Sequence, residues 1–257
     1  MKKRIQTIIT TLAVILGNII VSQNDTLYVV QSDVIIGRYA TATTDSVIFN
    51  KPNLTTIKDS ITKDTDGNIY TSIIIGPQEW MTENLRTTKY ADGSSIPNVI
   101  EDSLWTGLTT GAWCHYENDS SQYEAIYGKL YNWYAASDSR NVCPTGWHVP
   151  TAVDWRFLID YLTLNGHNYT EGRALKATSG WNSDRNGTDN YGWKALPGGN
   201  RRFSGSFVDA GSYGGWWTSS ETFSGSGSYK YLRSSSASPY TDGNSKKGGF
   251  SVRCLRD

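Results

Sequence analysis

Residues 143–162, CPTGWHVPTAVDWRFLIDYL, contain the clearest structural pattern in the chain. Pro150 precedes Thr151, a preferred helix N-cap, and Asp154 follows three residues later, as in a capping box. Apolar residues then recur at the i, i+3, i+4, i+7 spacing of an amphipathic helix, at Trp155, Leu158, Ile159 and Leu162. The pattern predicts a helix that begins after Thr151 and ends near Asn165 and Gly166.

Other helical patterns are few. Residues 127–136, YGKLYNWYAA, place Leu130, Trp133 and Tyr134 on one face and predict a short amphipathic helix. Residues 171–177 predict a third short helix.

The segment from residue 64 begins with an Asp-x-Asp-Gly-Asn spacing and continues into the apolar run 69–75. This combination predicts a turn that leads into a strand. The same spacing opens calcium-binding loops, but Ile75 stands where such a loop needs a bidentate glutamate. The turn is therefore the favoured interpretation.

Residues 198–249 are nearly half Gly and Ser, a composition that resembles a flexible linker. The same residues include many aromatic side chains, which a linker would not hold. We therefore predict short strands joined by long surface loops, whose rings either pack or bind.

The N-terminus carries a targeting pattern. Lys2, Lys3 and Arg4 precede an apolar run that extends to Val21, and Ser22 is a small residue suited to the position before a signal-peptidase cut. Residues 1–22 are thus predicted to be a signal peptide, which places the mature protein outside the cell or on the outer cell surface. A retained membrane anchor is the alternative, but the run is short and interrupted by polar residues, so we expect no membrane span in the mature chain.

Residues 23–62 predict a small β-rich N-terminal segment or linker. Three short β-type runs, 26–30, 34–39 and 46–49, are separated by polar turns, and Pro52 ends the last of them. The main domain is expected to occupy residues 63–257.

Composition excludes several classes of protein. The chain has 257 residues, with 24 basic and 24 acidic side chains, and 12% of its residues are aromatic. Such a chain is not disordered throughout, and its balanced charge argues against nucleic acid as a partner. The 10 Trp and 16 Tyr against 6 Phe favour rings with a polar group, which suit interfaces and ligand sites.

Seven stretches resemble, in order, the Fibrobacter succinogenes major paralogous domain, a secreted-protein module best represented in Bacteroidetes and Fibrobacteres. They are DGNIY (66–70), QEWMTENL (78–85), YGKLYNW (127–133), CPTGWHVP (143–150), ALPGGNR (195–201), WWTSSE (216–221) and GFSVRCL (249–255). The resemblance implies an α+β, C-type lectin-like fold with two helices, small antiparallel sheets and long Gly/Ser-rich loops. This fold is shared with formylglycine-generating enzymes and with ligand-binding proteins diversified by retroelements.

The resemblance also implies a disulfide between Cys143 and Cys254. In lectin-like domains a bridge ties the segment after the first helix to the last strand, and these two residues occupy those places. Cys114 would then be a free, buried thiol. Pairing of Cys114 with Cys254 is the alternative.

The residues predict no catalytic activity. Cys114 and His115 are neighbours on a predicted strand, so their side chains should point to opposite faces and form no dyad. His148 precedes the predicted helix and is interpreted as a hydrogen-bonded structural residue. Formylglycine-generating enzymes act through a closely spaced cysteine pair near the C-terminal end of the fold, where this chain has only Cys254.

A calcium loop is a separate hypothesis. Asp184, Asn186 and Asp189 cluster side-chain oxygens at near-alternating spacing, as in an oxygen-rich cation site. Asx turns explain the same residues without an ion. Structural calcium therefore stays open, and no other cofactor is expected. The tripeptides by which many C-type lectins hold sugar through calcium are absent from the sequence.

By resemblance to the retroelement-diversified proteins, the ligand face should lie on the loops between residues 200 and 240. The candidate residues are Arg201, Arg202, Phe203, Tyr213, Trp217, Tyr229, Tyr231, Arg233 and Tyr240. This mixture of aromatic and arginine side chains is typical of contact surfaces. Alternatively, half of the rings are core, and at least one of the adjacent Trp216 and Trp217 should pack inside.

The favoured function is a non-catalytic, secreted or surface-displayed module that binds a glycan or a surface protein. The alternative is a structural or assembly protein that self-associates through exposed aromatic residues. An enzyme of the formylglycine-generating type ranks third.

Overall fold

The computed structural model describes residues 61–257 in full and, before them, only the backbone of three strands within residues 19–40. Residues Met1–Asn53 and Leu54–Asp257 form separate compact units. Among the described residues, no helix is long and apolar enough to cross a membrane.

The first unit contains a three-stranded antiparallel sheet. Its strands are β1 (Ile19–Gln23), β2 (Thr26–Gln31) and β3 (Val34–Ala40). The last two confirm the strands predicted at 26–30 and 34–39. Strand β1 extends across the predicted cut after Ser22. The rest of the predicted signal segment and the predicted strand at 46–49 lie outside the described residues.

The second unit mixes helices and strands, so the α+β class is confirmed. Its helices are α1 (Asp102–Thr106), α2 (Ser120–Tyr127), α3 (Trp133–Ala136), α4 (Ala152–Leu162) and α5 (Glu171–Leu175). Its first strands are β4 (Thr62–Lys63), β5 (Ile69–Tyr70), β6 (Ser72–Ile75), β7 (Gln78–Met81), β8 (Trp113–Cys114), β9 (Leu130–Tyr131) and β10 (Trp147–His148). The later strands are β11 (Gly198–Arg201), β12 (Phe207–Ala210), β13 (Tyr213–Phe223), β14 (Ser226–Arg233), β15 (Tyr240–Ser245) and β16 (Leu255–Arg256).

Two larger sheets organise this unit. One has the strand order β10-β16-β7-β6, and within it Leu255 of the last strand pairs with Trp80 near the beginning of the unit. The other has the order β12-β11-β13-β14-β15, with a parallel contact between β11 and β13 and antiparallel contacts elsewhere. The two remaining pairs are β4 with β5 and β8 with β9.

Helix α4 follows the predicted pattern. The Thr151 hydroxyl accepts from the Asp154 amide and the Asp154 carboxylate accepts from the Thr151 amide, so both halves of the capping box are present. Trp155, Leu158 and Leu162 are buried along its inner face. The helix predicted at 171–177 is also present, ending at Leu175.

The helix predicted over residues 127–136 is wrong. Helix α2 stops at Tyr127 because Gly128 adopts φ 72° and ψ −151°, which no helix can continue. Leu130 and Tyr131 then pair with β8, and the Asn132 side chain caps the separate short helix α3. Apolar spacing alone could not distinguish one helix from this strand and helix.

The turn at residues 64–68 is confirmed. One Asp64 carboxylate oxygen accepts from the amides of Asp66 and Asn68, and the other accepts from the Tyr70 hydroxyl at 2.7 Å. Asp66 instead accepts from the Thr88 amide and forms an ion pair with Lys89. The acidic side chains thus organise the turn and the segment beside it.

All ten tryptophans are buried, so the preference for Trp in the composition belongs to the core. Several indole N–H groups donate to main-chain carbonyls of other segments: Trp105 to Lys247, Trp113 to Ile96, Trp133 to Thr218, Trp181 to Ala195 and Trp217 to Tyr131. A buried carbonyl needs a hydrogen-bond donor, and an indole can fill space while supplying one. This requirement explains the preference for Trp over Phe.

Strand β13 separates two parts of the core. Trp216 packs with Trp80, Trp155 and Trp193 on one face, with ring centroids 5.0–6.2 Å apart within the cluster. Trp217 packs on the opposite face against Phe250, at 4.7 Å. Both neighbouring indoles are therefore buried because both faces of this strand are covered.

A buried arginine joins three of the motifs found in the sequence. The Arg253 guanidinium donates to the Asn84 side-chain oxygen at 2.8 Å, and the Trp216 indole donates to that same oxygen at 2.9 Å. Arg253 also lies 3.8 Å from the Trp193 ring centroid. Burial lowers the pKa of Arg253 to about 9, so the neighbouring dipoles and rings are needed to hold its charge.

Candidate functional site

The disulfide between Cys143 and Cys254 is confirmed, and it spans 111 residues. Cys114 is a free buried cysteine, so the alternative pairing of Cys114 with Cys254 is wrong. The bridge joins the segment before α4 to the residue preceding β16, and thereby holds the last strand in its sheet.

Six of the nine predicted contact residues share one face of the sheet formed by β13, β14 and β15. The antiparallel register places Trp217 opposite Tyr229, Tyr231 opposite Tyr240, and Tyr213 opposite Arg233. Residues two apart on a strand point to the same face, so these side chains form one surface, which we call the tyrosine face. It consists of Tyr213, Trp217, Tyr229, Tyr231, Arg233 and Tyr240.

The rings of the tyrosine face are stacked in succession. Tyr229 and Tyr231 have centroids 5.4 Å apart, Tyr213 and Tyr231 are 5.1 Å apart, and Tyr231 and Tyr240 are 5.1 Å apart with an interplanar angle of 14°. Tyr240 covers the stack and is 41% exposed, whereas Tyr213, Tyr229 and Tyr231 are buried. The inner rings are therefore packing residues, and Tyr240 is the ring of this face that meets solvent.

Two of the predicted contact residues, Trp217 and Arg201, cannot meet a ligand because their side chains are completely buried. The Arg201 guanidinium donates to the carbonyls of Val99 at 2.7 Å and Ile100 at 2.8 Å, and pairs with Asp102 at 2.7 Å. It also lies 4.3 Å from the Trp105 ring centroid. Arg201 therefore holds the loop before α1 against the sheet, and its role is structural.

Arg202 and Phe203 are exposed, but the structure does not bring them to the tyrosine face. They lie in the turn between β11 and β12, and β12 forms one edge of the five-stranded sheet. Tyr240 lies on β15 at the opposite edge. The predicted contact set is thus divided between two ends of the sheet.

Residues 234–239, SSSASP, connect β14 to β15 and are here called the serine loop. The Tyr240 hydroxyl donates to the Ser236 hydroxyl at 3.0 Å, and the Ser238 hydroxyl donates to the Tyr169 carbonyl at 2.9 Å. The Arg173 amide donates to the Ala237 carbonyl at 2.8 Å. These bonds fix the loop between β15 and the start of helix α5.

Tyr169 is a site residue that sequence reasoning missed. Its side chain is 77% exposed and its backbone has a φ of 62°, which is uncommon for a residue other than glycine. Tyr169 lies in the short connection between helices α4 and α5, where no periodic pattern marks it. The tertiary bond from Ser238 is what places an exposed ring beside the serine loop.

A pocket of about 310 Å³ lies between the serine loop and helix α5. Three basic side chains, Arg173, Lys176 and Arg185, line it together with Asp184 and the loop serines. The Lys176 ammonium is buried, donates to the carbonyls of Ser236 and Arg233, and lies 4.6 Å from the Trp181 ring centroid. Arg173 lies on helix α5, whereas Lys176 follows the last helical residue with an extended backbone, so helical spacing gave no signal that their side chains line one pocket.

A second, smaller pocket adjoins the first. It has a volume of about 230 Å³ and is lined by Tyr213, Arg233 and Asp209 together with Ser234 and Ser235, which line both pockets. The Arg233 guanidinium lies 5.0 Å from the Tyr231 ring centroid. The serine loop is therefore bordered on one side by the tyrosine face and on the other by a basic pocket.

The proposed calcium loop does not assemble as a cation site. The Asn186 side chain accepts from the Trp181 amide at 3.0 Å, and Asp189 accepts from the Lys194 amide at 2.8 Å. Asp184 faces the pocket that holds Arg173, Lys176 and Arg185. Positive charge around this carboxylate disfavours a divalent cation there, and the oxygens of Asn186 and Asp189 accept from amides five residues away instead. Within residues 61–257, no three His, Cys, Asp or Glu residues are grouped to hold a metal ion.

The residues considered for catalysis occupy structural positions. Burial raises the pKa of the Cys114 thiol to about 12, so it is not a thiolate near neutral pH. His115 contacts Glu124 at 3.1 Å, and burial together with the nearby Lys129 lowers the pKa of this histidine. His148 contacts Asp257 at 2.7 Å, and the short strand β10 positions it there.

Fold and site together define a disulfide-tied α+β domain whose tryptophans and inner tyrosines form the core, with two exposed tyrosines and a basic pocket around one loop. The model of the Fibrobacter succinogenes major domain family matches residues 73–256 of the chain. The chain therefore belongs to this family, as the seven sequence stretches predict. Comparison with curated proteins and with solved structures found no match.

Proposed function

We propose that this chain is a non-catalytic binding module that recognises a glycan through the surface around the serine loop. The observation that carries the proposal is a pair of exposed tyrosines bonded to one short loop beside Arg233, Tyr240 through its hydroxyl and Tyr169 through its backbone carbonyl. Flat tyrosine faces stack on the apolar faces of sugar rings, while hydroxyl and guanidinium groups donate to sugar oxygens. The surface around the serine loop presents both kinds of group, the rings from Tyr169 and Tyr240 and the guanidinium group from Arg233.

The anchoring of the Tyr240 ring favours binding energetically. Tyr240 is held by its hydrogen bond to Ser236 and by its stack on Tyr231, so little rotamer freedom is lost when a ligand arrives. Burial raises the pKa values of Tyr213 and Tyr229, which keeps the supporting phenols neutral over the physiological range. The buried tyrosines of the tyrosine face thus hold the exposed Tyr240 ring in place before a ligand binds.

We assign the domain to the C-type lectin-like fold. Three features support this assignment: the last strand returns to pair with β7 and β10, the disulfide secures that return, and two longer helices, α2 and α4, accompany small antiparallel sheets. The predicted signal segment and the disulfide both favour an oxidising, extracellular location, in solution or on the outer cell surface.

A binding role rather than catalysis is supported by the state of the cysteines. Cys254 is bonded to Cys143, and Cys114 is completely buried. The cysteine chemistry of formylglycine-generating enzymes would require an accessible thiolate.

Binding of the mature protein to an immobilised glycan array tests the proposal. Tyr169→Ala and Tyr240→Ala should each weaken binding about five- to thirty-fold, as expected for the loss of about 1–2 kcal/mol of ring contact. Phe223→Ala is the matched control, because Phe223 is 66% exposed but lies at the far end of β13. Equal binding by all three variants and the unmodified protein would contradict the proposed surface.

Size-exclusion chromatography distinguishes the assembly alternative. A binding module should elute as one species across a hundredfold range of concentration. Oligomers that grow with concentration, together with no bound glycan, would favour self-association through the exposed edge strand β15 instead.

A further inference from the structure

The pocket between the serine loop and helix α5 carries more positive charge than its surroundings balance. Arg173, Lys176 and Arg185 line it together with a single acidic residue, Asp184. Within residues 61–257, none of the three basic groups forms an ion pair with a carboxylate. The pocket is therefore left with an excess of positive charge inside a concave space.

Lys176 is the most informative of these residues. Its side chain is buried, its ammonium is bonded only to carbonyl oxygens, and burial together with the charge of Arg185 lowers its pKa to about 8. A buried ammonium that faces another cation is costly unless an anion accompanies it. Two guanidinium groups at the mouth of the same pocket offer the paired donors that carboxylate and sulfate groups accept.

We propose that this pocket binds the oxyanion group, carboxylate or sulfate, of an acidic saccharide. The proposal rests on the glycan-binding function proposed above and specifies the ligand class. Lys176, Arg173 and Arg185 would receive the charged group, while the hydroxyls of Ser234 and Ser235 would donate to its remaining oxygens. The adjoining pocket at Arg233 and the exposed rings would hold the neighbouring sugar units.

The volume of the site agrees with this ligand class. A pocket of about 310 Å³ accommodates one charged sugar substituent with its ring, and it lies at the small end of the range for ligand sites. A nucleic acid would require a longer basic surface, whereas Asp184 and Asp209 limit the positive field to the pocket itself.

Titration with sodium sulfate tests the anion site directly. The measurement is two-dimensional amide NMR at constant ionic strength, maintained with sodium chloride so that only specific binding appears. The amides of Arg185 and of Ser234, Ser235 and Ser236 should shift saturably. In the double variant R173Q/R185Q the shifts should weaken at least tenfold, and each single variant should give an intermediate loss.

Arg156→Gln is the matched control, since Arg156 is an exposed arginine on α4 outside the pocket. Arg173 and Arg185 are also exposed, so the variants should unfold at the same denaturant concentration as the unmodified protein. Retention of sulfate binding by R173Q/R185Q, or its equal loss in R156Q, would overturn the proposed site.

Saccharides then separate the two proposals. Oligogalacturonate and its methyl ester share one backbone and differ in charge, and a sulfated oligosaccharide and its desulfated form provide a second pair. Binding of the charged member at least tenfold more tightly, lost in R173Q/R185Q, is the expected result. Equal binding of charged and neutral members, with no sulfate shifts, would remove the anion site but leave glycan binding in place. If sulfate shifts the amides but no saccharide binds, both the acidic saccharide as ligand and the proposed glycan-binding function would be rejected. The sulfate would then be an adventitious ion only.

Discussion

Removal of the disulfide should cost this domain more stability than any single buried side chain. Cys143 and Cys254 close a loop of 111 residues, and the chain-entropy relation for such a loop gives about 4 to 5 kcal/mol at room temperature. Both sulfurs are also completely buried, so replacement by alanine removes packing contacts worth about 1 kcal/mol each. The double variant C143A/C254A should therefore lose about 6 to 7 kcal/mol of its free energy of unfolding.

Cys114 supplies a matched control within the same chain. It is equally buried but forms no bridge, so C114A should lose about 1 kcal/mol only. Equilibrium unfolding in guanidinium chloride, followed by tryptophan fluorescence, measures the free energy of unfolding of all three proteins. The loss in C143A/C254A beyond twice that in C114A is the contribution of the cross-link itself.

A domain of ordinary stability has 5–15 kcal/mol in total, so C143A/C254A could unfold in plain buffer. The three proteins are therefore compared in a fixed concentration of trimethylamine oxide, which strengthens burial in each of them. The denaturant dependence of unfolding should also be steeper for C143A/C254A, because its unfolded chain is more expanded. A loss no larger than twice that of C114A, with an unchanged slope, would refute the loop-closure argument.

Two further outcomes are expected. Gly227→Ala should destabilise the domain by about 3 kcal/mol in chemical denaturation, because its new Cβ would lie 2.1 Å from a ring carbon of the buried Trp133. Gly107→Ala is the control, because its new Cβ would lie 3.5 Å from the nearest atom, the Leu104 carbonyl oxygen, and it should change stability by less than about 1 kcal/mol. Equal effects of the two substitutions would contradict the packing argument. The hydrogen bond to Asp154 is the first cause of the raised pKa of His148. The contribution of His148 to the free energy of unfolding is therefore complete below about pH 6.5 and is lost as the pH rises through the folded pKa. H148Q should remove up to about 1 kcal/mol of stability at pH 5.5 and less at pH 9, and a loss independent of pH would contradict this ion pair.

Local sequence patterns predicted the elements that depend on neighbouring residues. The capping box of α4, the Asp64 turn and the strands at 26–31 and 34–40 each follow from residues within one short segment. The single helix predicted at residues 127–136 was wrong because Gly128 and the pairing of β9 with the distant β8 outweighed the helical periodicity of this segment. Pairing with a distant strand leaves no trace in local spacing.

The candidate site was likewise predicted only where it depends on local sequence. Composition indicated that residues 200–240 hold aromatic and arginine side chains, but the burial of Arg201 and Trp217 depends on what the rest of the fold places over them. Tyr169 and Lys176 lie far from this window in the sequence, and they reach the serine loop only through tertiary hydrogen bonds. No pattern in either segment marks them.

By itself, the sequence determined the family, the α+β class and the main helix. Through the resemblance to the family, it also indicated which two cysteines form the disulfide. It could do so because these properties follow from short motifs in a constant order and from local backbone preferences. Only the tertiary structure decided that the tryptophans are core, that Tyr240 and Tyr169 are the exposed rings, and that a basic pocket lies beside them. The physical reason is that exposure and charge balance are properties of the surroundings of a side chain, and those surroundings are assembled from segments distant in the chain.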